Sequence, residues 1–487
     1  MTRVAVVGGG ISGLAAAHRL RTLLGPSAEV VVLEQRDRLG GVLRTVDLAG
    51  SPFDVGAEAF LVRRPEVPAL LTELGLRDAL TRPTAATATI RAGGRTVGLP
   101  RGTLMGVPGR DAVLDGVLSP AGLAAVAAEP ATPLDWEPGG DVALGALLRD
   151  RFGPEVVDRI ADPLLGGVYA GRVDTLGLRA TVPALAAALD AGAPSLTAAA
   201  STGMAASGQR AGTLAAGTPA GGAVPQPVAA GPVFGAVRGG YGALVAALVT
   251  ASAATVRTGT TVRGLRRGDG GWRLVLGPAP APELLDADAV VLAVPAPAAR
   301  RLLEPVVPAA GAAAGRIASA SSAVVALAYR AADVAAMPGT SGCLVAADEP
   351  LSVKGVTHAS TKWAHLGDDG LVRLRASVGR FGEEASLQVD DAELVARVRA
   401  DLRVLDGIEA HPVASLVQRW GGGLPQYGVG HDGIVGALES AVAGVAGLEV
   451  AGAMLHGVGV PACVGTARAA AERVAAALVR EPSPGRA

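Results

Sequence analysis

The N-terminal segment of the chain places a glycine-rich turn between two short apolar runs. Residues 3–8 (RVAVVG) carry no polar face, which predicts a strand buried on both sides. GGGISG follows, then good helix formers in LAAAHRLRTLL, and residues 29–34 (EVVVLE) predict a second buried strand. Strand, turn, helix and strand within about 30 residues predict a βαβ unit of a parallel sheet.

The glycines of this turn have the spacing G-x-G-x-x-G at Gly8, Gly10 and Gly13. The first permits a tight turn, the second lets the backbone approach a pyrophosphate, and the third lets the helix pack closely on the strand. Glu34 ends the second strand, where a carboxylate reaches the hydroxyls of a ribose. The pattern therefore predicts a dinucleotide-binding α/β fold rather than a purely structural turn.

The residues after Glu34 favour one dinucleotide over another. QRDRLGGVLRT contains Arg38, Gly40 and Gly41, a compact loop that suits a dinucleotide extending beyond the ribose. The pattern resembles the flavin amine oxidase superfamily, in which it marks FAD; NAD is the less favoured alternative. Near the C-terminus, the turn GVGVP (457–461) precedes a predicted helix. The positive end of that helix would stabilise negative charge on a reduced flavin by about 0.3–2 kcal/mol.

Composition excludes several other classes of protein. Half of the 487 residues are apolar, but many are alanine, and no apolar stretch approaches the length of about 20 residues that spans a membrane. The N-terminus imitates a signal peptide, but its glycines have the better explanation above, so we expect a cytoplasmic protein. The net charge of -1 argues against nucleic-acid binding. The cysteines, Cys343 and Cys463, match no metal or disulfide spacing, so we expect buried thiols and no metal site.

Five longer segments carry a more specific resemblance. They are FDVGAEAFLVRR (53–64), DPLLGGVYAGRVDTLGLRATVPAL (162–185), GGYGALVAAL (239–248), RWGGGLPQYGVGH (419–431) and GVGVPACVGTA (457–467). In type and order they are similar to segments of the coproporphyrinogen III/protoporphyrinogen IX oxidase family. The GGVYAG and LPQYGVGH stretches are the most selective of them, and the likeness extends over nearly the whole chain.

The resemblance implies a p-hydroxybenzoate-hydroxylase-like fold with a Rossmann-like FAD domain, an inserted α+β substrate domain and a helical domain. It assigns 1–60, 235–298 and 415–487 to the FAD domain, 61–110 and 299–414 to the substrate domain, and 111–190 to the helical domain. The stretch 191–234, rich in Ala, Gly and Pro, is expected to form a flexible excursion because it has little apolar bulk to bury. An ordinary variable loop is favoured there over a functional lid.

The resemblance also implies an activity. Family members oxidise a porphyrinogen by six electrons in heme biosynthesis, with O2 as the oxidant and H2O2 as the product. The resemblance implies coproporphyrinogen III as the substrate rather than protoporphyrinogen IX, because a GC-rich composition and the lack of an apolar segment of membrane-spanning length match the family's Gram-positive members. Ferrochelatase, the next enzyme of the pathway, and a peripheral membrane contact are further expected partners. The alternatives are a protoporphyrinogen IX oxidase, a relative of phytoene desaturases or amine oxidases, and a non-catalytic FAD-binding or heme-trafficking protein.

Matching motif positions predict the residues of the site. No catalytic side chain is expected, because hydride removal is the chemistry of the flavin. The predicted FAD-binding residues are Gly8, Gly9, Gly10, Ile11, Ser12, Gly13, Glu34, Gln35, Arg38, Gly41, Val42, Gly56, Ala57, Glu58, Ala59, Val262, Trp420, Val458, Gly459 and Val460. The predicted substrate-binding residues are Arg63, Arg64, Tyr169, Lys354 and Lys362. Surface roles for the two arginines and core packing for Tyr169 and Trp420 are the competing interpretations.

Overall fold

The computed structural model describes residues 2–215 and 233–480, without the side chains of 207–215 and 480. Its nucleotide-fold half is built on a five-stranded parallel sheet whose strands come from distant parts of the chain. In spatial order the strands are Thr255–Arg257, Glu29–Leu33, Arg3–Val7, Ala289–Leu292 and Leu448–Val450. The predicted first βαβ unit is confirmed, with its helix at Ile11–Leu24.

Alternate residues of these strands enter two different hydrophobic cores. Val4 and Val6 join one core, while Ala5 and Val7 join the other. This explains why the first strand has no polar face, since both of its sides are buried. The helices Ile11–Leu24, Tyr241–Ser252 and Val460–Arg480 pack in the first core. The second core lies under the antiparallel strands Val262–Gly268, Gly271–Leu276 and Glu283–Ala287 and the helices Ala296–Leu303, Pro308–Gly315 and His431–Ala443.

A seven-stranded mixed sheet forms the centre of the second half. Its strands in spatial order are Ala414–Pro425, Ser319–Arg330, Leu371–Val378, Val353–His358, Gly342–Val345, Ala88–Ala92 and Arg95–Gly98. Helix Asp391–Asp406 covers one face with Leu394, Val398 and Leu402. The helix begins at Asp391 because the Asp390 side chain caps it by accepting the N–H of Glu393.

A helical region packs against this sheet. Its helices are Pro120–Ala128, Leu144–Phe152, Pro154–Val156, Gly167–Tyr169, Leu178–Thr181, Pro183–Asp190 and Leu196–Ala215. Between them, Val157–Gly166 is a π-helix with Pro163 inside it. Such wide turns place side chains off the usual helical spacing and are often found at functional sites.

The prediction of a flexible excursion at 191–234 is wrong for its first part. Leu196–Ala215 is a helix whose first turns are buried. Glu129, which is 1% exposed, accepts the backbone N–H groups of Leu196 (2.7 Å) and Thr197 (3.2 Å), so a buried carboxylate fixes the start of this helix. Residues 216–232 lie outside the described residues.

Residues 255–262 are divided between two sheets. Thr255–Arg257 joins the parallel sheet and Val262 opens the antiparallel one. The remaining elements are the hairpins Thr45–Leu48/Ser51–Asp54 and Arg101–Leu104/Val107–Val113, the strands Phe60–Leu61, Leu80–Thr81 and Phe234–Val237, and the helices Glu66–Glu73 and Ala359–Lys362. Over residues 2–215 and 233–480, no helix is both long and apolar enough to cross a membrane.

Candidate functional site

A large cavity opens at the carboxyl ends of the parallel strands, where open α/β sheets bind their ligands. Its empty volume is about 1280 Å³, open solvent at its mouth included. Residues that follow three of the strands line it, namely Gly8, Ala293 and Gly452. The cavity extends from Glu34 at one end to Trp420 and Pro425, on the last strand of the seven-stranded sheet.

The glycines of the first turn differ in what surrounds them. A Cβ at Gly8 would lie 2.3 Å from the carbonyl oxygen of Ala293, and a Cβ at Gly13 would lie 1.8 Å from the carbonyl oxygen of Gly8. Both glycines are therefore required by the protein's own packing. A Cβ at Gly10 would meet only the Cα of Gly41, at 3.8 Å, and Gly10 faces the cavity. The absence of a side chain at Gly10 thus leaves space in the cavity for a ligand.

Gly10 also precedes the first helix, and no side chain caps that helix. Free backbone N–H groups at a helix start, together with the helix dipole, form an anion site suited to a diphosphate. Glu34, 7% exposed, lies beside them. Its carboxylate accepts the N–H of Gly9 (2.7 Å) through Oε2 and that of Arg36 (2.8 Å) through Oε1. Each oxygen keeps a lone pair for a ribose hydroxyl, since a carboxylate offers about four acceptor positions.

Ten of the predicted cofactor residues line the cavity: Gly8, Gly10, Ile11, Ser12, Glu34, Gln35, Gly41, Val42, Val262 and Trp420. The others are not among its lining residues: Gly9, Gly13, Arg38, Gly56, Ala57, Glu58, Ala59, Val458, Gly459 and Val460. One of these, Arg38, contacts two residues of the wall. The Arg38 guanidinium donates to the Gly41 carbonyl at 2.9 Å and lies 5.6 Å from the Trp420 ring centroid.

Trp420 is held in place by a hydrogen bond and by a close backbone contact. Its indole N–H donates to the Val55 carbonyl at 3.0 Å. A Cβ on Gly56 would lie 3.1 Å from the Trp420 ring and 1.8 Å from the Val42 carbonyl oxygen. A glycine at position 56 is therefore needed so that this segment can pass between Val42 and Trp420.

Glu58 forms a group of partly buried ion pairs and is not part of the cavity wall. Its carboxylate lies 3.1 Å from the Lys362 ammonium and 3.2 Å from the Arg375 guanidinium, and it also accepts the indole N–H of Trp363. Burial alone would raise the pKa of Glu58, but the two cations outweigh it and lower the pKa to about 2. Lys362, predicted to bind substrate, is therefore already paired within the protein.

The C-terminal turn is fixed by one phenol. The Tyr427 hydroxyl donates to the Ala453 carbonyl at 2.6 Å and accepts the N–H of Gly457 at 2.7 Å. The last helix begins at Val460, and Cys463 in its first turn lines the cavity. The helix that was predicted after this turn is therefore present, and its first turn reaches the cavity.

The predicted substrate residues lie in different places. Arg63 and Arg64 are exposed and line no part of the large cavity; Arg64 pairs with Glu66 at 2.6 Å. Tyr169 is buried with its ring centroid 5.4 Å from that of Tyr427, and burial raises its pKa to about 12. Lys354 is also buried, on the strand Val353–His358.

Sequence reasoning missed much of the cavity wall. The missed residues are Val7, Leu33, Arg36, Thr260, Thr261, Ala293, Val294, Pro295, Ala296, Ala298, Arg301, Leu302, Ser319, Gly421, Gly422, Gly423, Pro425, Gly452, Ala453, Met454 and Cys463. Two groups had an available signal, because residues 293–296 and 452–454 come just after the short, largely apolar runs AVVL (289–292) and LEV (448–450). The remainder depend on tertiary contacts.

This geometry defines a dinucleotide-binding protein with a second sheet closing the far end of its cavity. Comparisons with known proteins agree. The family model described as flavin-containing amine oxidoreductase matches residues 11–475. A coproporphyrinogen III oxidase of Mycobacterium leprae is 45% identical over 475 residues, covering 98% of each chain. The protein of the same name from Bacillus subtilis is 29% identical, covering 96% of each.

Solved structures agree as well. A putative protoporphyrinogen oxidase from Exiguobacterium has a TM-score of 0.79 and 28% identity, covering 98% of this chain and 99% of that one. Cyclohexylamine oxidase from Brevibacterium oxydans shares the fold, with a TM-score of 0.69 at 16% identity. The chain belongs to the flavin-containing amine oxidoreductase family. The predictions of a flavin oxidoreductase, of FAD as its cofactor and of a likeness to coproporphyrinogen III oxidases are confirmed.

Proposed function

We propose that this chain oxidises coproporphyrinogen III to coproporphyrin III. The observation that carries this proposal is the end-to-end identity of 45% with an enzyme of that name. The overall reaction removes six electrons and six protons from the porphyrinogen and transfers them to three O2, giving three H2O2. Bound FAD supplies the two-electron acceptor that this chemistry needs.

The cavity contains the features that FAD needs. The open face of Gly10 and the uncapped helix start would hold the diphosphate, and Glu34 would hold the adenosine ribose. Val262 lies at the Glu34 end of the cavity, because the N–H of nearby Thr260 donates to the Glu34 carbonyl at 2.8 Å. We propose that Val262 borders the adenine. Trp420 and Val42 would border the flavin, with residues 458–460 at its pyrimidine side.

The protein's own contribution to the reaction is orientation and exclusion of water. The ionisable side chains on the cavity wall are Glu34, Arg36, Arg301 and Cys463 within the described residues. Glu34 is committed to two backbone N–H groups, and the thiol of Cys463 has its pKa raised to about 11 by burial. None of these is a suitable general base, which supports a reaction without a catalytic side chain.

The contacts favour some predicted substrate residues over others. Lys362 and Arg64 already pair with carboxylates, so their charge is partly neutralised. Tyr169 of the helical region packs on Tyr427, two residues after Pro425 of the wall. Lys354 is on a strand of the seven-stranded sheet that contacts the π-helix, so both residues lie at the junction of the helical region and that sheet. We therefore propose that the porphyrinogen binds between that wall and this junction.

Turnover of two porphyrinogens by the FAD-loaded protein tests the proposal. Porphyrin fluorescence, O2 uptake and H2O2 release should appear with coproporphyrinogen III, and under anaerobic conditions the flavin absorbance should bleach. No bleaching with any porphyrinogen would contradict the proposal and favour a non-catalytic FAD-binding role. Faster turnover of protoporphyrinogen IX would favour the second candidate, which the name of the Exiguobacterium relative supports.

Two finer expectations belong with this proposal. We propose that the enzyme is cytoplasmic and acts beside ferrochelatase, with a peripheral membrane contact as a further expectation. Fractionation of cells that produce the protein, and co-purification with the ferrochelatase of the same organism, test them. Recovery only with membranes in high salt would contradict the cytoplasmic location.

A further inference from the structure

A buried group of charges lies outside the cofactor cavity. It consists of Asp162 on the π-helix, Lys354 on the strand Val353–His358, and Arg380 just after the strand Leu371–Val378. All three residues are at most 9% exposed. We call these three residues the buried charge cluster. It contains two cations and one anion, so it carries an excess of positive charge away from water.

The cluster is incompletely paired. The Asp162 carboxylate accepts the N–H of Val173 at 3.0 Å through Oδ1, while Oδ2 has no hydrogen bond and lies 3.7 Å from Arg380 Nε. The Lys354 ammonium has no hydrogen bond or ion pair with any residue of the described ranges. An ammonium that is largely withdrawn from water and has no hydrogen-bonded partner is well suited to bind a carboxylate, because little of its hydration is left to lose.

A chain of contacts connects the cluster to the cofactor cavity. Pro425 lines that cavity, and the side chain of the next residue, Gln426, donates to the Tyr169 carbonyl at 2.7 Å. Ala170 accepts the N–H of Phe381 at 2.8 Å, which fixes the residue next to Arg380. The cluster therefore lies at the junction where the proposed function places the substrate.

We propose that Lys354 and Arg380 together bind one propionate carboxylate of the porphyrinogen, an inference that rests on the proposed function. Coproporphyrinogen III carries four such carboxylates, and a chain with a net charge of -1 must supply cations locally. A carboxylate between an ammonium and a guanidinium gains charge-assisted hydrogen bonds. Asp162 would then hold Arg380 in place and keep the empty site from carrying two unopposed cations.

The burial of Lys354 also predicts how carboxylate binding depends on pH. Burial, together with the nearby Arg380 cation, lowers the pKa of Lys354 to about 8, against the opposing effect of Asp162 and Glu383. Glu383 in turn pairs with Arg172. Binding of a carboxylate to the protonated ammonium should therefore weaken as the pH rises through about 8.

The test measures equilibrium binding of coproporphyrin III, the reaction product, to the FAD-loaded enzyme by porphyrin fluorescence. Lys354→Met keeps the side-chain length and removes the charge, whereas Lys354→Arg keeps the charge. Arg95→Met is the matched control, because it removes an exposed cation from the same sheet. The tetramethyl ester of coproporphyrin III, which has no free carboxylate, is the matched ligand.

For Lys354→Met, we expect the affinity for the tetra-acid to fall about tenfold to a hundredfold, with KM for the porphyrinogen rising more than kcat falls. Affinity for the ester should stay within twofold of wild type, and so should both affinities of Arg95→Met. FAD content should not change. An unchanged affinity of Lys354→Met for the tetra-acid would overturn the inference, and so would equal losses for acid and ester.

If Lys354→Met does not fold, wild-type binding between pH 7 and pH 10 gives an independent answer. Tetra-acid affinity that falls across this range while ester affinity does not would support the site, and parallel curves would overturn it. Failure of the proposed function would give a different result, because the wild-type enzyme would then bind coproporphyrin III but would not oxidise coproporphyrinogen III.

Discussion

The carboxylate of Glu34 accepts the backbone N–H of Gly9 at 2.7 Å, so the end of the second strand is tied directly to the glycine turn after the first. The other carboxylate oxygen accepts the N–H of Arg36. Glu34 therefore shapes the turn that faces the cofactor and does not only offer itself to a ribose.

Replacement of Glu34 by Gln should weaken FAD binding by about tenfold to a hundredfold, because the amide NH2 would face an N–H group instead of accepting from it. Titration of the apoprotein with FAD, followed by flavin fluorescence, measures this. Glu29→Gln is the control on the same strand, since it removes only a surface ion pair with Arg3. Equal FAD affinity of the two variants would contradict the role of Glu34.

Gly10→Ala should fold normally but bind FAD poorly, because its Cβ meets no protein atom closer than 3.8 Å and enters the cavity. Its backbone φ of -75° is compatible with alanine. Gly13→Ala should fail to fold, since its Cβ would lie 1.8 Å from a carbonyl oxygen. Circular dichroism and flavin content of the purified variants distinguish the two glycines. Full FAD content in Gly10→Ala would show that the diphosphate binds elsewhere.

Asp54→Asn should stabilise the protein above pH 6 but not at low pH. Burial raises the pKa of Asp54 from 3.8 to about 6, against hydrogen bonds from Thr45 and the Tyr241 backbone. Its contribution to stability is therefore complete below pH 3.8 and is lost as the pH rises to about 6. The asparagine still accepts these hydrogen bonds without a buried charge.

Urea unfolding at a series of pH values measures this effect. The free energy of unfolding of Asp54→Asn, relative to wild type, should increase by up to about 3 kcal/mol between pH 4 and pH 6 and then stay constant. Parallel pH profiles of the two proteins would show that Asp54 does not carry this penalty.

Glu129→Ala should loosen the helix Leu196–Ala215 from its start. The substitution removes the acceptor for the N–H groups of Leu196 and Thr197 and leaves buried Arg151 without its carboxylate. Loss of one partner of a buried ion pair costs about 3–5 kcal/mol. Hydrogen exchange in residues 196–206 should accelerate. Exposed Glu137→Ala is the control and should leave exchange there unchanged.

The parts of the site that sequence predicts are those set by local spacing. Gly8, Gly10 and Glu34 fall within one βαβ unit, so their geometry follows from the turn and the strand ends. Glu58 shows the limit of this reasoning. Its motif predicts contact with FAD, but its partners Lys362 and Arg375 are about 300 residues away and occupy its carboxylate. Nothing near Glu58 in sequence indicates this pairing.

The helix at Leu196–Ala215 was missed for a similar reason. Its composition of small residues predicts weak order, but Glu129 supplies hydrogen bonds at its start from 67 residues away. The composition of a segment indicates how much apolar surface that segment can bury, but it does not show that the distant Glu129 carboxylate stabilises the start of this helix. The domain boundaries and the individual roles of the FAD and substrate residues stay predictions.

The order of strands in the parallel sheet has a consequence for synthesis on the ribosome. The strand Arg3–Val7 is made long before its neighbour Ala289–Leu292 and the edge strand Leu448–Val450, and the helix Val460–Arg480 packs against the helix Ile11–Leu24. Because the wall of the cavity includes Gly452 to Met454 and Cys463, a nascent chain cannot complete the wall until Cys463 has emerged from the ribosome. FAD can therefore be retained only after residue 463 has been synthesised. A translation arrest anywhere before the strand Leu448–Val450 should release a chain that cannot retain the cofactor.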